Sequence, residues 1–171
     1  MGQRAKTLHD SPWKGVIVIT GGGSRFLSEI LSTPGASRTV LQAEIPYSKE
    51  SMEDMLGYQP EKACSVETAK ILSDHAFWHA IELQGDASDR NIIFGLSCTA
   101  ALATDRRRRG EDRICVGLRT VNMNYAGEYK PFDGYMTTRD LQEGKVTEVI
   151  WSVLYPLLIN GETAETLQSG T

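Results

Sequence analysis

The stretch Val16-Ile17-Val18-Ile19-Thr20-Gly21-Gly22-Gly23-Ser24 decides the reading of the fold. Its β-branched apolar run has no polar alternation, the pattern of a strand buried on both faces, as in a parallel sheet. The glycines then turn the chain. Beyond Ser24, the residues Phe26, Leu27, Ile30 and Leu31 fall at the spacing of one apolar helix face. Thr33-Pro34-Gly35 ends that helix. Strand, glycine loop and helix together form the repeating unit of an α/β domain.

Working outward, residues 38–45 read as a second strand ended by Pro46, and a short helix runs from about Ser48 to Leu56, closed by Gly57. Ser65 is a good N-cap, with Glu67 in the first turn, for a helix of roughly twenty residues. Its stripe is Val66, Ala69, Leu72, Ala76, Ala80 and Leu83. Asn91–Cys98 and Ile114–Val121 read as further strands, and Tyr125–Phe132 as a more exposed one. The absence of a helix between the last two predicts one antiparallel strand. Leu141–Ile159 carries helical spacing, with Pro156 placed to kink the helix or end it early. The expectation is a three-layer α/β/α sandwich with a mostly parallel, mixed sheet over residues 13–160. Residues 1–12 read as a flexible polar arm and 161–171 as a flexible tail.

At 171 residues the chain fits one domain. A net charge of -4 excludes a general nucleic-acid binder. The run Arg106-Arg107-Arg108-Arg109 reads as a solvated loop or as a clamp for a phosphate. Cys64, Cys98 and Cys115 form no CxxC pair, which argues against a disulfide framework or zinc site and for a reducing, cytoplasmic compartment. No stretch approaches the ~18 apolar residues of a membrane span, and residues 1–12 lack the apolar core of a secretory signal. His75 and His79 are spaced i, i+4, but without a third ligand in view they read as a surface pair. No metal or cofactor is expected.

The glycine loop offers bare N–H groups and a positive helix end, so it is ready for an anion. It is not a dinucleotide fingerprint, because Phe26 stands where the third glycine belongs, and no Gly-Lys-Ser/Thr follows to make a P-loop. A tight packing turn and a phosphate site both remain open. Ser37 follows Pro34-Gly35-Ala36, and Tyr47-Ser48 comes ten residues later. No His and Asp stand out to complete a serine triad.

The order of these segments resembles the CinA C-terminal domain family. That family reads broadly Ser-Cys-Thr-Gly-Gly, Pro-Gly-Ala/Ser-Ser, Tyr-Ser-Asn-Glu-x-Lys and Gly-x-Val-Ser-x-Glu-x-Ala. The counterparts here are Thr20–Ser24, Pro34–Ser37, Tyr47–Met52 and Ala63–Ala69, and a later family loop falls near Ser97–Ala101. The resemblance spans roughly residues 16–120 and, more weakly, the final helix. Its variant glycine motif looks like a eukaryotic branch, in which the domain often accompanies a nucleotidyltransferase-like domain.

Active members of the family are nicotinamide-mononucleotide deamidases that use a serine nucleophile, a lysine base and a nearby tyrosine. By position, the resemblance assigns the nucleophile to Ser37 and the tyrosine to Tyr47. The lysine falls on Met52, a thioether that cannot take a proton. Lys49, one turn earlier, is the candidate substitute. Thr20, Gly21, Gly22, Gly23, Ser24, Ser97 and Thr99 are the expected ligand-binding residues. A straight strand over 38–46 would hold Ser37 and Tyr47 about 30 Å apart, so a bend or a second subunit would be needed to join them.

The implied function is binding of a pyridine-mononucleotide-like ligand with lost or altered amidase activity. The alternatives are an active amidase using Ser37, and a regulatory interaction module without a ligand. A homo-oligomer and a nucleotidyltransferase partner are the assemblies this reading allows.

Overall fold

In the computed structural model, which describes residues 2–85, 89–105, 111–130 and 138–169, the Val16–Ile19 run forms the interior of a five-stranded sheet. Its strand, β1 (Lys14–Thr20), pairs in parallel with β2 (Val40–Glu44) on one side and β3 (Ile93–Ala101) on the other. Two further strands, β4 (Arg113–Thr120) and β5 (Met123–Tyr129), continue as an antiparallel meander, giving the order β2-β1-β3-β4-β5. Among the described residues, β4 alone runs against the other strands, as the missing helix between it and β5 implies. The proposed extension of β5 to Phe132 and the arginine run 106–109 lie outside the described residues.

Helices cover both faces, which completes the three layers. On one face, α2 (Ser24–Ser32) and α5 (Arg139–Leu154) bury Phe26, Ile30, Val146, Ile150 and Leu154 against Ile17, Leu96, Val116 and Leu118. On the other, α3 (Lys49–Leu56) and α4 (Val66–Gln84) enclose Val16, Val18, Met52, Leu72, Phe77 and Ile93. The caps match the sequence: Ser48 Oγ accepts from Ser51 N, Ser65 Oγ accepts from Thr68 N, and Gly57 ends α3 at φ 85°. The α-helix ends at Leu154, just before Pro156, and the chain continues as a π-helical turn, Tyr155–Ile159. Among the described residues, no helix is long and apolar enough to cross a membrane.

Both chain ends correct the expectation. Residues 2–9 form a helix, α1, with Ala5, Leu8 and His9 fully buried. Arg4 holds it down: Nε and Nη2 donate to the Glu29 carboxylate at 2.7 Å, both Nη groups donate to Glu148 at 3.0 Å, and the guanidinium lies 5.1 Å from the Trp151 ring centre. The buried His9 ring contacts Thr39 Oγ1 through Nδ1 and the Ile30 carbonyl through Nε2, each at 2.8 Å. So few apolar letters concealed the helix because distant ion pairs anchor it. At the other end, residues 164–169 form a short helix, α6, whose Ala164 and Leu167 pack on the core.

Helix α4 approaches β3 and β4 closely. A Cβ on Gly95 would lie 2.3 Å from Phe77 N and Ser73 O, and one on Gly117 would lie 2.5 Å from the Ala69 carbonyl. Ser97, between them on the same face, donates its hydroxyl to Ala69 O at 2.6 Å. The helix backbone therefore rests almost on the sheet backbone, and α4 matches the track with Ala69, Ser73, Ala76 and Ala80.

Gly95→Ala cannot be absorbed by moving a flexible side chain, so α4 must lift. We expect a loss of about 3 kcal/mol of stability in urea unfolding, at the upper end of overpacking effects. Gly2→Ala, with nothing within 4 Å of the new methyl, is the control and should change stability by less than about 1 kcal/mol.

Candidate functional site

At the carboxyl end of β1 and β3, where open α/β sheets bind ligands, the chain encloses a cavity of about 420 Å³. Its lining includes Thr20, Gly21, Gly22 and Ser24 of the glycine loop, Ile45 and Tyr47 after β2, and Arg139, Asp140 and Glu143 of α5. A second cavity of about 400 Å³ shares Thr20 and Tyr47 and extends past Ser48, Lys49 and Met52 to Gln59–Ala63. Tyr47, 66% exposed, stands between the two.

The glycine loop has the predicted shape. Gly21 has φ 78°, and a Cβ there would sit 1.9 Å from the Ala100 carbonyl, so only glycine fits. Its anion position, however, is filled from within the chain. Glu143 accepts from Gly23 N at 3.2 Å, from Ser24 N at 3.0 Å and from Ser24 Oγ at 2.8 Å, and is 8% exposed. A side-chain carboxylate occupies the place where a phosphate would take those N–H groups at the start of α2. The alternative of a tight packing turn is thus the local structure, with Glu143 as its internal anion.

Arg139 is the cation of the cavity, and sequence reasoning missed it. Nη2 donates to the Gly21 carbonyl at 2.7 Å and to the Tyr47 hydroxyl at 3.3 Å, and Nη1 donates to the Ala103 carbonyl at 3.2 Å. Among the described residues, three of its five N–H groups are thereby committed. Among the described residues, Nε–H and one Nη1–H are left to face a ligand. Its position in the first turn of α5, capped by Thr138, is the only local signal, and nothing in the sequence ties that turn to the glycine loop.

The remaining predicted residues separate. Tyr47, Lys49 and Met52 do meet around the second cavity. Met52 is 5% exposed and packs among Val16, Val18 and Leu72, so its letter serves the core. Ser48, the serine of this cavity, spends its hydroxyl capping α3. Ser37 does not join them. It is exposed in a 3₁₀ turn, Ala36–Arg38, before β2, which runs from Val40 beside Gly15, through a one-residue register shift at Leu41, to Glu44 beside Val18. Ser37 and Tyr47 therefore lie at opposite ends of β2, and the bend that would unite them within one chain is not made. The imidazole nearest in sequence, His9, has both ring nitrogens engaged by Thr39 and Ile30.

Ser97 and Thr99 are packing residues. They are 0% and 1% exposed, and their hydroxyls donate to Ala69 O and Ala63 O, each at 2.6 Å. His75 and His79 stack with ring centres 6.2 Å apart and share Glu44 as a neighbour at 3.8 and 4.0 Å. Among the described residues, no group of three or more His, Cys, Asp or Glu is arranged to hold a metal ion.

No protein-family model matches the sequence. The chain is 32% identical over 72 residues to C-type natriuretic peptide 2 of Oncorhynchus mykiss, a match covering 41% of this chain and spanning about half, 55%, of that protein's length. Solved structures resemble it along nearly its whole length. A competence/damage-inducible protein of Agrobacterium tumefaciens superposes with a TM-score of 0.67 at 15% identity, covering 90% of this chain and 93% of that one. A CinA superfamily protein of Enterobacter cloacae gives 0.65 at 14% identity, covering 94% and 92%. A competence or damage-inducible protein of Enterobacter asburiae gives 0.64 at 16% identity, covering 94% and 98%. The fold is that of a CinA-like domain.

Removing the internal carboxylate should uncover the anion site. Glu143→Ala leaves the Gly23 and Ser24 donors unpaired, and we expect a loss of about 1–2 kcal/mol. Inorganic phosphate should then raise the Tm of the variant more than that of the parent chain, measured by thermal unfolding across a phosphate series at constant ionic strength.

Proposed function

We propose that this chain is a CinA-like nucleotide-binding domain that holds a pyridine-mononucleotide-like ligand in the Arg139–Tyr47 cavity and does not hydrolyse its amide. The single observation behind the loss of hydrolysis is the placement of Ser37 at the far end of β2 from Tyr47, with Met52 packed in the core where the family resemblance expects a lysine. A serine without a neighbouring base is a poor nucleophile. The cavity supports the binding half: about 420 Å³ lies within the range of small-molecule sites. Ile19 and Ile45 give it apolar walls, Tyr47 offers a ring, and Arg139 offers charge. Because Glu143 already holds the glycine loop, the ligand's phosphate meets the guanidinium of Arg139 instead of the loop N–H groups. This reading also places the protein in the cytoplasm, where its thiols stay reduced.

One specific observation favours a second reading. Ser37 and Tyr47 are both exposed at opposite ends of the sheet, so a second copy of the chain could supply one to the other and restore an amidase.

Pure protein incubated with nicotinamide mononucleotide separates the two. We expect no ammonia above the buffer rate and a rise in Tm. At ten times the dissociation constant the stabilisation is about 1.4 kcal/mol, or roughly 4 °C. The shift should vanish in Arg139→Ala and persist in Ser37→Ala. Ammonia release that stops in Ser37→Ala, from a species sedimenting as an oligomer, would establish the second reading. Neither ammonia nor a shift would leave a regulatory interaction module.

A further inference from the structure

The cysteines are distributed over two faces of the sheet, and two of them lie on the same face at the β3–β4 seam. Thr99 of β3 lies directly across from Cys115 of β4, so their side chains project from the same face, toward α4. Cys98 and Val116, one residue along, project from the opposite face, where Cys98 is sealed in the α2–α5 core. Cys64 comes down onto the first of these faces from the connection between α3 and α4. Its thiol donates to the Thr99 carbonyl at 3.3 Å, while Thr99 Oγ1 donates to the carbonyl of the preceding residue, Ala63, at 2.6 Å. This double clamp fixes Cys64 over the β3–β4 seam, with its sulfur also 3.9 Å from the carbonyl of Arg113, two residues before Cys115 on β4. Neither is part of a disulfide.

The two thiols are unequal. The neighbouring Cys115 thiol holds Cys64 below the ordinary thiol range, against the opposing effect of burial, and Arg113 helps. The same pairing and burial push Cys115 up, as burial does for Cys98. Cys64 is also half-buried and immediately precedes Ser65, the N-cap of α4, where the helix end favours a thiolate. Cys64 is therefore the attacking sulfur and Cys115 the resolving one.

We propose that Cys64 and Cys115 are a modification site, forming a reversible intramolecular disulfide when the chain meets a small peroxide. The Cys64 thiolate attacks one peroxide oxygen; the O–O bond breaks, the departing hydroxide takes up a proton as water, and Cys64 becomes a sulfenic acid. The Cys115 sulfur then attacks the Cys64 sulfur; the S–O bond breaks, and hydroxide leaves with the Cys115 proton as a second water. Two thiols and one hydrogen peroxide give one disulfide and two waters, with two electrons passing from sulfur to oxygen. The bond ties the connection carrying Gln59–Ala63, one wall of the second cavity, covalently to β4. The proposal is independent of what either cavity binds.

The test uses the full chain treated with a few equivalents of hydrogen peroxide, enough for a thiol without a resolving partner to pass the sulfenic acid, then blocked with iodoacetamide and digested without reductant for mass spectrometry. The expected product is a Cys64–Cys115 crosslinked peptide that dithiothreitol releases. Thiols titratable in denaturant should fall from three to one, with Cys98 still alkylated, and the Tm should rise by roughly 5 °C. The Cys98→Ser chain should behave identically. In Cys115→Ser the crosslink should be lost, with Cys64 proceeding to the sulfinic acid. Cys64 reaching the sulfinic acid in the parent chain while Cys115 stays alkylatable, a bond to Cys98, or a bond between chains would each overturn the proposal.

Discussion

The contact that most of this architecture depends on is the near-touch of helix α4 on the Gly95–Ser97–Gly117 track. With side chains missing from two positions and a hydroxyl at the third, the helix descends until backbone meets backbone. That descent explains several choices of residue. α4 can present only small residues to the track, so its bulk, Leu72 and Phe77, is placed to the side, over β1 and β3. It also brings the start of the helix down onto Thr99, which is why Ala63 and Cys64 are pinned there and why a polar strand residue can be buried without an unmet hydroxyl.

At the opposite face, α5 organises the loops instead of the sheet. Its first two turns send Arg139 to Gly21, Tyr47 and Ala103, Gln142 to Ala103 and Asp112, and Glu143 to Gly23 and Ser24. The connections that follow β1, β2 and β3 thus converge, within the described residues, on one helix terminus. The cavity is shaped by those polar ties more than by apolar packing. Because a carboxylate already holds the glycine loop, Arg139 is the cation that the described residues bring to the cavity, beside Asp140.

Much of the fold could be read locally. The β-branched run of β1, the caps Ser48 and Ser65, Gly57 at the end of α3 and the reversed β4 all follow from residues close together in the chain. The site was less legible, for reasons that are equally physical. Glu143 meets the glycine loop across 120 residues of sequence, and neither end of that contact has a local signature. The loop's own pattern left a packing turn and a phosphate site both open, and could not say that a carboxylate of the chain takes the N–H groups. Ser97 and Thr99 were placed among the ligand residues by the position of a family loop, and in the structure their buried hydroxyls satisfy a helix and a loop. Helix α1 was hidden because Arg4, an apparently solvated letter, is held by Glu29 and Glu148 from two other helices.

The sheet order carries a consequence for synthesis on the ribosome. β3, β4 and β5 are consecutive and fold back on one another through short spans. β1, the most apolar strand, has its longer partnership with β3, joining Lys14 to Ile93. At ordinary translation rates, that partner emerges on the order of ten seconds after β1. Until then β2 is the one neighbour available, leaving the other edge of Val16–Ile19 open. The nascent chain is most vulnerable to aggregation in that interval, and holdase chaperones have their best opportunity to engage it there.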